Sequence, residues 1–540
     1  MSNVCVKQPA SLYCRGFEKD RMALIHKKIL RNVKSFRFGG GGLWNYVECF
    51  LAGASVGCSF APFQVSFMFL LSFGWLFAKI ILANHSVASN LTRAFMFLLG
   101  MHVTNVYWLA LPLTINLARH WILIAPALLL IPACLSLQLL PAVFIAQKYC
   151  VGVHEKTLAF TALFCAELFF LGHYGPGFPW VLPGYIWSSH EIFLQTLSIY
   201  GIYGLSFITV WLSGLVGCSY IFHQKKDLKN RRRSLLGALL GVFFLAVFGF
   251  CRLHLHKTEF TQHSARVVQC NLSQRDKMDL GLFYSNLERH VALSQHDAPI
   301  DFIIWPEAAI PYLYHERFTQ LHEHLKSPLK IGEYLVTGAV RKDLLTSNVY
   351  NSAVVIDHRG KNICNYDKIR LVPFGEYLPL RKYIPFQSLQ SIASEIGDFD
   401  AGNKPKLLKI KGVKMIMAIC YEAAFPQEFI PSGQRGDVIV NLTNDGWFGP
   451  SSEPFQHLQI VRARAIETGL PLIRAANYGI SAVFDPLGRE IGRVAFNKSG
   501  FLDCRIPRSI SETPYSKFGD LLFFAILMVS LIYAFRRAPV

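Results

Sequence analysis

Seven apolar runs fill the first half of this chain, and an eighth closes it. They fall at roughly 47–62, 64–84, 93–116, 121–147, 157–174, 194–222 and 235–253, with the last at about 519–535. A run of about 20 apolar residues is enough to cross the hydrocarbon core of a bilayer. Between the seventh and eighth runs lies a polar stretch of about 265 residues, room for one domain of ordinary size with its own core. The pattern predicts a multi-span α-helical membrane bundle of about eight helices plus one α/β domain. The expected division is a basic extension (1–46), a membrane domain of about seven helices (47–253), the folded domain (254–518), and a final helix with a short basic tail (519–540).

Charge location decides what the basic excess means. The net charge is +19. Met1–Tyr46 contributes +7, His223–Ser234 +5, and Arg536 with Arg537 +2, so +14 of the excess flanks apolar runs. Positive charge kept on the cytoplasmic side of spans explains this without a nucleic-acid partner. Eight spans with basic ends would put both termini in the cytoplasm and the folded domain on the outer face of the cytoplasmic membrane. The loop Gly175–Phe193 would lie on that outer face too. Its Trp180, Tyr185 and Trp187 suit a membrane interface.

The first 46 residues lack the apolar core of a cleavable signal peptide. Arg21–Val33 fits either a basic amphipathic helix resting on anionic lipid or a solvated tail. The 13 cysteines show no metal-ligand spacing, and no metal or organic cofactor is implied. The polar domain alternates short apolar strands, such as Asp301–Trp305, Val413–Ile419 and Asp437–Asn441, with helices at Leu280–Gln295 and Phe455–Glu467. Continuous apolar strands of this kind are buried on both faces, and the alternation favours a layered α/β sandwich.

Three strand ends in that domain carry unusual polar residues. Glu307 follows an apolar strand and Trp305-Pro306. A carboxylate held among apolar groups suits general base work, and a helix-start acid fits the same position. Lys368 and Glu376 lie in a segment dense in Pro, Gly and aromatics. The lysine there could stabilise an oxyanion or pair with Asp367 on the surface. Cys420 ends the run MIMAICYEAAFP, which reads as a buried strand entering a turn. A lone cysteine is usually a small core residue. A thiol nucleophile would need both a base and a positive group nearby, and Glu307 and Lys368 are of the right types.

The motifs WPEAAIP (Trp305–Pro311), YDKIRLVPFGEYLP (Tyr366–Pro379) and AICYEAAFP (Ala418–Pro426), in this order, resemble the Glu, Lys and Cys motifs of the nitrilase superfamily. NLTNDGWFG (Asn441–Gly449) and the stretch Arg462–Arg489 fit it too. The flanking spans, with GCSFAPF and GFPW, make the chain similar to the bacterial apolipoprotein N-acyltransferase family over about residues 47–535. That resemblance implies an αββα sandwich. It implies Cys420 as nucleophile, Glu307 as general base and Lys368 as oxyanion stabiliser, with Glu376, Tyr421 and Glu422 supporting them. It also implies a phospholipid acyl donor and a diacylated apolipoprotein acceptor, joined by a cysteine thioester in the inner membrane.

Two departures from the family pattern stand out: Cys270 where glycine is usual, and Met278 where tryptophan is common. Pro379–Asp400, with Phe386, Leu389, Ile392, Ile396 and Phe399, is a candidate lid that dips into lipid. A membrane-anchored amidase would share the same three residues. A transporter would need charge along its spans, where Lys79 and Glu167 are the main examples.

Overall fold

The computed structural model describes residues 42–175, 177–314, 319–379, 399–403, 407–429 and 434–536. The candidate helix at Arg21–Val33, residue Arg537 and most of the candidate lid (380–398) fall outside them. The chain divides into Met1–Glu48 and Cys49–Val540, and of the first part only Gly42 and the start of helix Leu43–Ala54 are described.

Among the described residues, five helical segments are long and apolar enough to cross a membrane: Val87–Thr114, Leu117–Tyr149, Val153–His173, Leu197–Gln224 and Leu228–Leu255. The apolar helices Ser66–Ile81 and Leu521–Phe535 are shorter. The run expected at 47–62 forms a 12-residue helix followed by a 3-10 turn, Ser55–Ser59. The long helices also contain breaks. The α-helical part of the first long segment ends at Val106 and a 3-10 stretch, Tyr107–Thr114, contains Pro112. Proline has no amide to donate to the preceding turn. Leu197–Gln224 is the most enclosed of the five. It is kinked at Gly201, where φ is +65° and a Cβ would lie 2.2 Å from the Tyr515 ring. Only glycine fits that close approach without strain.

The polar domain contains thirteen described strands: β1 (Phe260–Gln269), β2 (Phe302–Ile304), β3 (Ile310–Tyr314), β4 (Tyr334–Lys342), β5 (Val349–Asp357), β6 (Asn362–Asp367), β7 (Leu407–Ile410), β8 (Val413–Ile419), β9 (Val438–Thr443), β10 (Leu472–Ala476), β11 (Ser481–Phe484), β12 (Glu490–Val494) and β13 (Gly500–Pro507). They form two sheets. One runs β13-β1-β2-β4-β5-β6, with β3 beside β4, and the other runs β12-β11-β10-β9-β8-β7. In the first, β1, β2 and β4 are parallel neighbours; in the second, β8, β9 and β10 are.

Side-chain alternation builds the layers. On β8, Met415, Met417 and Ile419 join the core between the sheets, while Ile416 and Ala418 face the other way, into a core shared with helix Glu453–Thr468. On β2, Phe302 and Ile304 point between the sheets, and Ile303 packs towards helix Phe283–Ser294. This is the period-2 pattern of strands buried on both faces. The result is the expected four-layer αββα sandwich.

Candidate active site

Cys420 sits one residue beyond β8 and opens a 3-10 turn, Cys420–Ala424. Its φ is +50°, a left-handed conformation that costs a non-glycine residue about 1–3 kcal/mol unless its surroundings impose it. Glu422, fully buried, supplies part of that constraint. One carboxylate oxygen accepts the Ile419 amide at 2.8 Å. The other accepts the Tyr366 hydroxyl at 2.7 Å and the Ile369 amide at 2.8 Å. A single side chain thus ties the cysteine turn to the segment that carries Lys368. Ile419, on one side of the half-buried Cys420, lies in the inter-sheet core, and Tyr421 on the other lies in the core of the membrane helices. The Tyr421 hydroxyl donates to the Gly177 carbonyl at 2.6 Å. The sulfur-bearing residue therefore stands where the two cores meet.

Glu307 and Lys368 emerge from the carboxyl ends of β2 and β6. Lys368 Nζ lies 2.9 Å from Glu376 Oε1 and 3.5 Å from Glu307 Oε1. Asn351 Nδ2, from β5, donates to both carboxylates, at 2.8 Å to Glu307 and 2.7 Å to Glu376. Glu376 also accepts the Val372 amide at 2.7 Å. Burial opposes the Lys368 charge, but Glu376, Glu307 and Cys420 outweigh it and hold the ammonium protonated well above the usual lysine range. Burial and the Glu307 charge push the Cys420 thiol well above its ordinary value, with Lys368 pulling the other way. The balance of these effects favours the neutral thiol, close enough to Glu307 and Lys368 to feel both.

The turn carrying Glu307 lies directly on β4. The Gly338 amide donates to the Pro306 carbonyl at 3.1 Å. A Cβ at Gly338 would come within 2.4 Å of Ala308 N and 2.5 Å of Glu307 Cα. Behind this turn is a second buried ammonium. Lys277 Nζ donates to the Glu307 carbonyl at 2.8 Å. Burial lowers its pKa to about 8, although Glu307 and Cys420 favour its charge.

A further buried network underlies the elbow. His457, on helix Glu453–Thr468, places Nε2 3.3 Å from the Cys420 carbonyl and Nδ1 3.0 Å from Asp445 Oδ1. Arg474 Nη2 donates to Asp445 Oδ2 at 2.7 Å, and its Nη1 donates to Asn441 Oδ1 at 2.7 Å. Asp445, Glu453 and His457 have the donor types of a metal centre and lie within 4.8 Å of one another. The Arg474 guanidinium already fills the role of the cation there.

The same helix meets the membrane domain. Gln456 Oε1 accepts the indole N–H groups of Trp108 at 3.1 Å and Trp180 at 2.8 Å. Glu467 Oε1 accepts the Ile202 amide at 2.9 Å, just past the Gly201 kink. Trp180, Tyr185 and Trp187 are buried where the sequence suggested a membrane interface: Trp180 and Tyr185 meet Gln456 and Arg464 of the sandwich helix, and Trp187 donates to Thr209 Oγ1 at 2.8 Å within the membrane domain.

All six residues singled out in the sequence lie in this region. Lys368 touches both Glu307 and Glu376, and Tyr421 and Glu422 follow Cys420 within its turn. Asn351, Lys277, Gly338 and the His457–Asp445–Arg474 network were not anticipated. Asn351 lies in an ordinary-looking strand, and no local pattern marks it. Lys277 adjoins Met278, one of the two departures noted above, and that proximity was the available signal. Met278 is exposed and Cys270 buried.

Comparison with known proteins places this geometry in a family. Residues 264–515 match the family described as carbon-nitrogen hydrolase. Residues 52–215 match the apolipoprotein N-acyltransferase N-terminal domain. The chain is 32% identical over 500 residues to an apolipoprotein N-acyltransferase of Rickettsia typhi, covering 90% of this chain and 97% of that protein. It is 34% identical over 428 residues to one from Bradyrhizobium diazoefficiens, covering 76% and 79%. Among solved structures, Saccharomyces cerevisiae Nit3, a member of branch 10 of the nitrilase superfamily, aligns at 19% identity and a TM-score of 0.35, over 46% of this chain and 91% of that one. With both of its parts matched and relatives of this similarity spanning nearly its whole length, the chain belongs to the apolipoprotein N-acyltransferases, membrane enzymes of the nitrilase superfamily.

Proposed function

We propose that this enzyme moves a fatty acyl chain from a phospholipid, through a thioester on Cys420, to the α-amino group of the N-terminal S-diacylglyceryl cysteine of an apolipoprotein. The observation that carries the reading is the position of Cys420, with a catalytic-looking carboxylate–ammonium cluster on one side and the core of the membrane helices on the other.

The steps follow from the groups present. Glu307 takes the Sγ proton as the sulfur attacks the ester carbonyl of the phospholipid. This coupling matters because the resting thiol is neutral. Negative charge moves to the carbonyl oxygen, where the Lys368 ammonium stabilises it. The C–O bond breaks, Glu307 returns the proton to the departing alkoxide, and lysophospholipid leaves behind an acyl thioester. The acceptor amine then attacks the thioester and gives a proton to Glu307. The C–S bond breaks, the thiol is restored and an amide is released. Dividing the transfer in two replaces one difficult step with two easier ones. Glu376 and Asn351 orient Glu307 and Lys368, while Glu422 and Tyr421 hold the elbow. Water near the thioester would waste it by hydrolysis, and the packing of the elbow against membrane helices supports its exclusion.

The helices and the family support an inner-membrane protein. The charge distribution supports an outward-facing catalytic domain with both termini in the cytoplasm. It also supports the division at about residues 46, 253 and 518.

The decisive experiment is incubation of the purified enzyme with phospholipid, followed by mass spectrometry of the Cys420 peptide. An acyl adduct that is lost on adding a diacylated lipopeptide, with appearance of triacylated product, is the expected result. Cys420→Ala retains its membrane fold and transfers nothing. Transfer by that variant, or ammonia release from amides without any acyl transfer, is the outcome that sinks the reading.

A further inference from the structure

We propose that His457 is a positioning residue for Cys420, holding the nucleophile's own peptide carbonyl through Nε2–H. The inference rests on Cys420 being the acyl carrier.

The contact chemistry fixes where the proton is. The Cys420 carbonyl can only accept, so the His457 Nε2 at 3.3 Å carries a hydrogen whether the ring is neutral or charged. Nδ1 faces three ionisable groups drawn from three elements. Asp445 Oδ1, beyond β9, is at 3.0 Å, Glu453 Oε1 on the same helix is at 3.4 Å, and Arg474 Nη2 from β10 is at 3.3 Å. Burial and Arg474 work against a charged ring. Asp445 and Glu453 favour it and prevail, so the imidazole pKa is raised. A charged ring makes a stronger donor to the carbonyl.

The location gives this contact its purpose. Cys420 is the one residue of the elbow with positive φ. Glu422 grips the amide of Ile419, before the cysteine. His457 grips the carbonyl of Cys420 itself, beyond the positive-φ bond. With both holds in place, Sγ has a fixed place relative to Glu307 and Lys368. Asp445 orients the ring, and Arg474 and Thr443 orient Asp445, with Thr443 Oγ1 donating at 3.2 Å. His457, Asp445, Arg474 and Thr443 are all buried; the Cys420 carbonyl is the direct contact of His457 with the nucleophile, while Asp445 and Thr443 act on the Cys420 thiol, Thr443 through a side-chain hydrogen bond.

Two substitutions separate this role from plain packing. The side-chain amide nitrogen of His457→Gln reaches about as far as Nε2, whereas that of His457→Asn reaches only as far as Nδ1. Full-length wild type and both variants are compared in mixed micelles of phosphatidylethanolamine and phosphatidylglycerol. Three quantities are read: the single-turnover rate of Cys420 acylation by mass spectrometry, its dependence on phospholipid concentration, and the iodoacetamide alkylation rate of Cys420.

The expected result is that His457→Gln acylates within about 5-fold of wild type and His457→Asn is slower by about 100-fold, the scale of an ångström-level misplacement. Half-saturation for phospholipid stays unchanged, and alkylation slows in Asn but not in Gln. Equal acylation rates in the two variants overturn the proposal. If His457→Asn does not accumulate, His457→Gln decides alone: a folded Gln variant that has lost about 100-fold overturns the proposal, and one that retains the rate supports it. A wild type that forms no acyl-Cys420 but still transfers overturns the carrier role itself, and with it this inference.

Discussion

Glu422 accepts the amide of Ile369 at 2.8 Å with one oxygen while its other oxygen accepts the amide of Ile419 at 2.8 Å. Ile369 follows the lysine of the site and Ile419 precedes its cysteine, so one buried carboxylate sets the spacing of two segments from different sheets. Hydrogen bonds from amides to a charged acceptor are each worth about 1.5–3 kcal/mol. Glu422→Gln keeps the shape but turns an NH2 group towards one of these donors. The expected outcome is a loss of about 2–3 kcal/mol in stability and at least a tenfold lower acylation rate. Thermal unfolding in detergent and single-turnover acylation measure both; an unchanged acylation rate would show that the tie does not set the site.

Asn351 donates to Glu307 and Glu376 from one nitrogen. Asn351→Leu leaves both carboxylates with one fewer buried donor. The maximal rate is expected to fall by about 100-fold, with little change in half-saturation for phospholipid, because the residue acts on the reacting groups rather than on the lipid. A change confined to half-saturation would place Asn351 in substrate binding instead.

Gly338 has no room for a side chain. Its Cβ would meet Ala308 N at 2.4 Å and Glu307 Cα at 2.5 Å, both backbone atoms that cannot swing aside. Gly338→Ala is expected to cost about 1–3 kcal/mol and to displace Glu307, so that activity falls far more than the melting temperature does. Normal activity in Gly338→Ala would mean that the Glu307 turn shifts freely.

Lys277 predicts a pH effect. Burial lowers its pKa from 10.5 to about 8 in the folded protein. Between these values the unfolded chain binds a proton that the folded chain does not, so this group makes stability rise with pH across the window. The gain amounts to about 3 kcal/mol at most. Lys277→Met lacks that slope. The melting temperature of the variant should exceed that of wild type at pH 7.5, with the gap closing as pH approaches 10.5. Parallel curves across this range would show that the lysine is not neutralised by burial.

The sequence made much of this legible because two of its signals are local. Apolar runs need only be long to mark membrane helices, and the strands β2, β8 and β9 are continuous apolar segments whatever surrounds them. Motif residues such as Glu307, Lys368 and Cys420 stand out because polar groups are unusual after such strands. The span count was less legible. Length alone does not say whether an apolar run continues through Pro112 as one helix or bends there, nor whether the run at 47–62 forms a full span.

Tertiary structure decided which groups face one another. Asn351 and Lys277 look like any strand asparagine and helix lysine, yet both touch the Glu307 segment. His457 lies 37 residues beyond Cys420 and reaches its carbonyl only because its helix packs on the sheet. Trp180 has the look of a lipid-interface residue, but its indole N–H finds Gln456 in the protein interior. The sequence by itself determined the membrane helices, the sandwich strands and the three chemically unusual strand ends, since each depends on side-chain character along one segment. Only the tertiary structure decided the electrostatics of the cysteine and the bracing of its strained turn, because charge, burial and hydrogen-bond partners there come from strands and helices far apart in the chain.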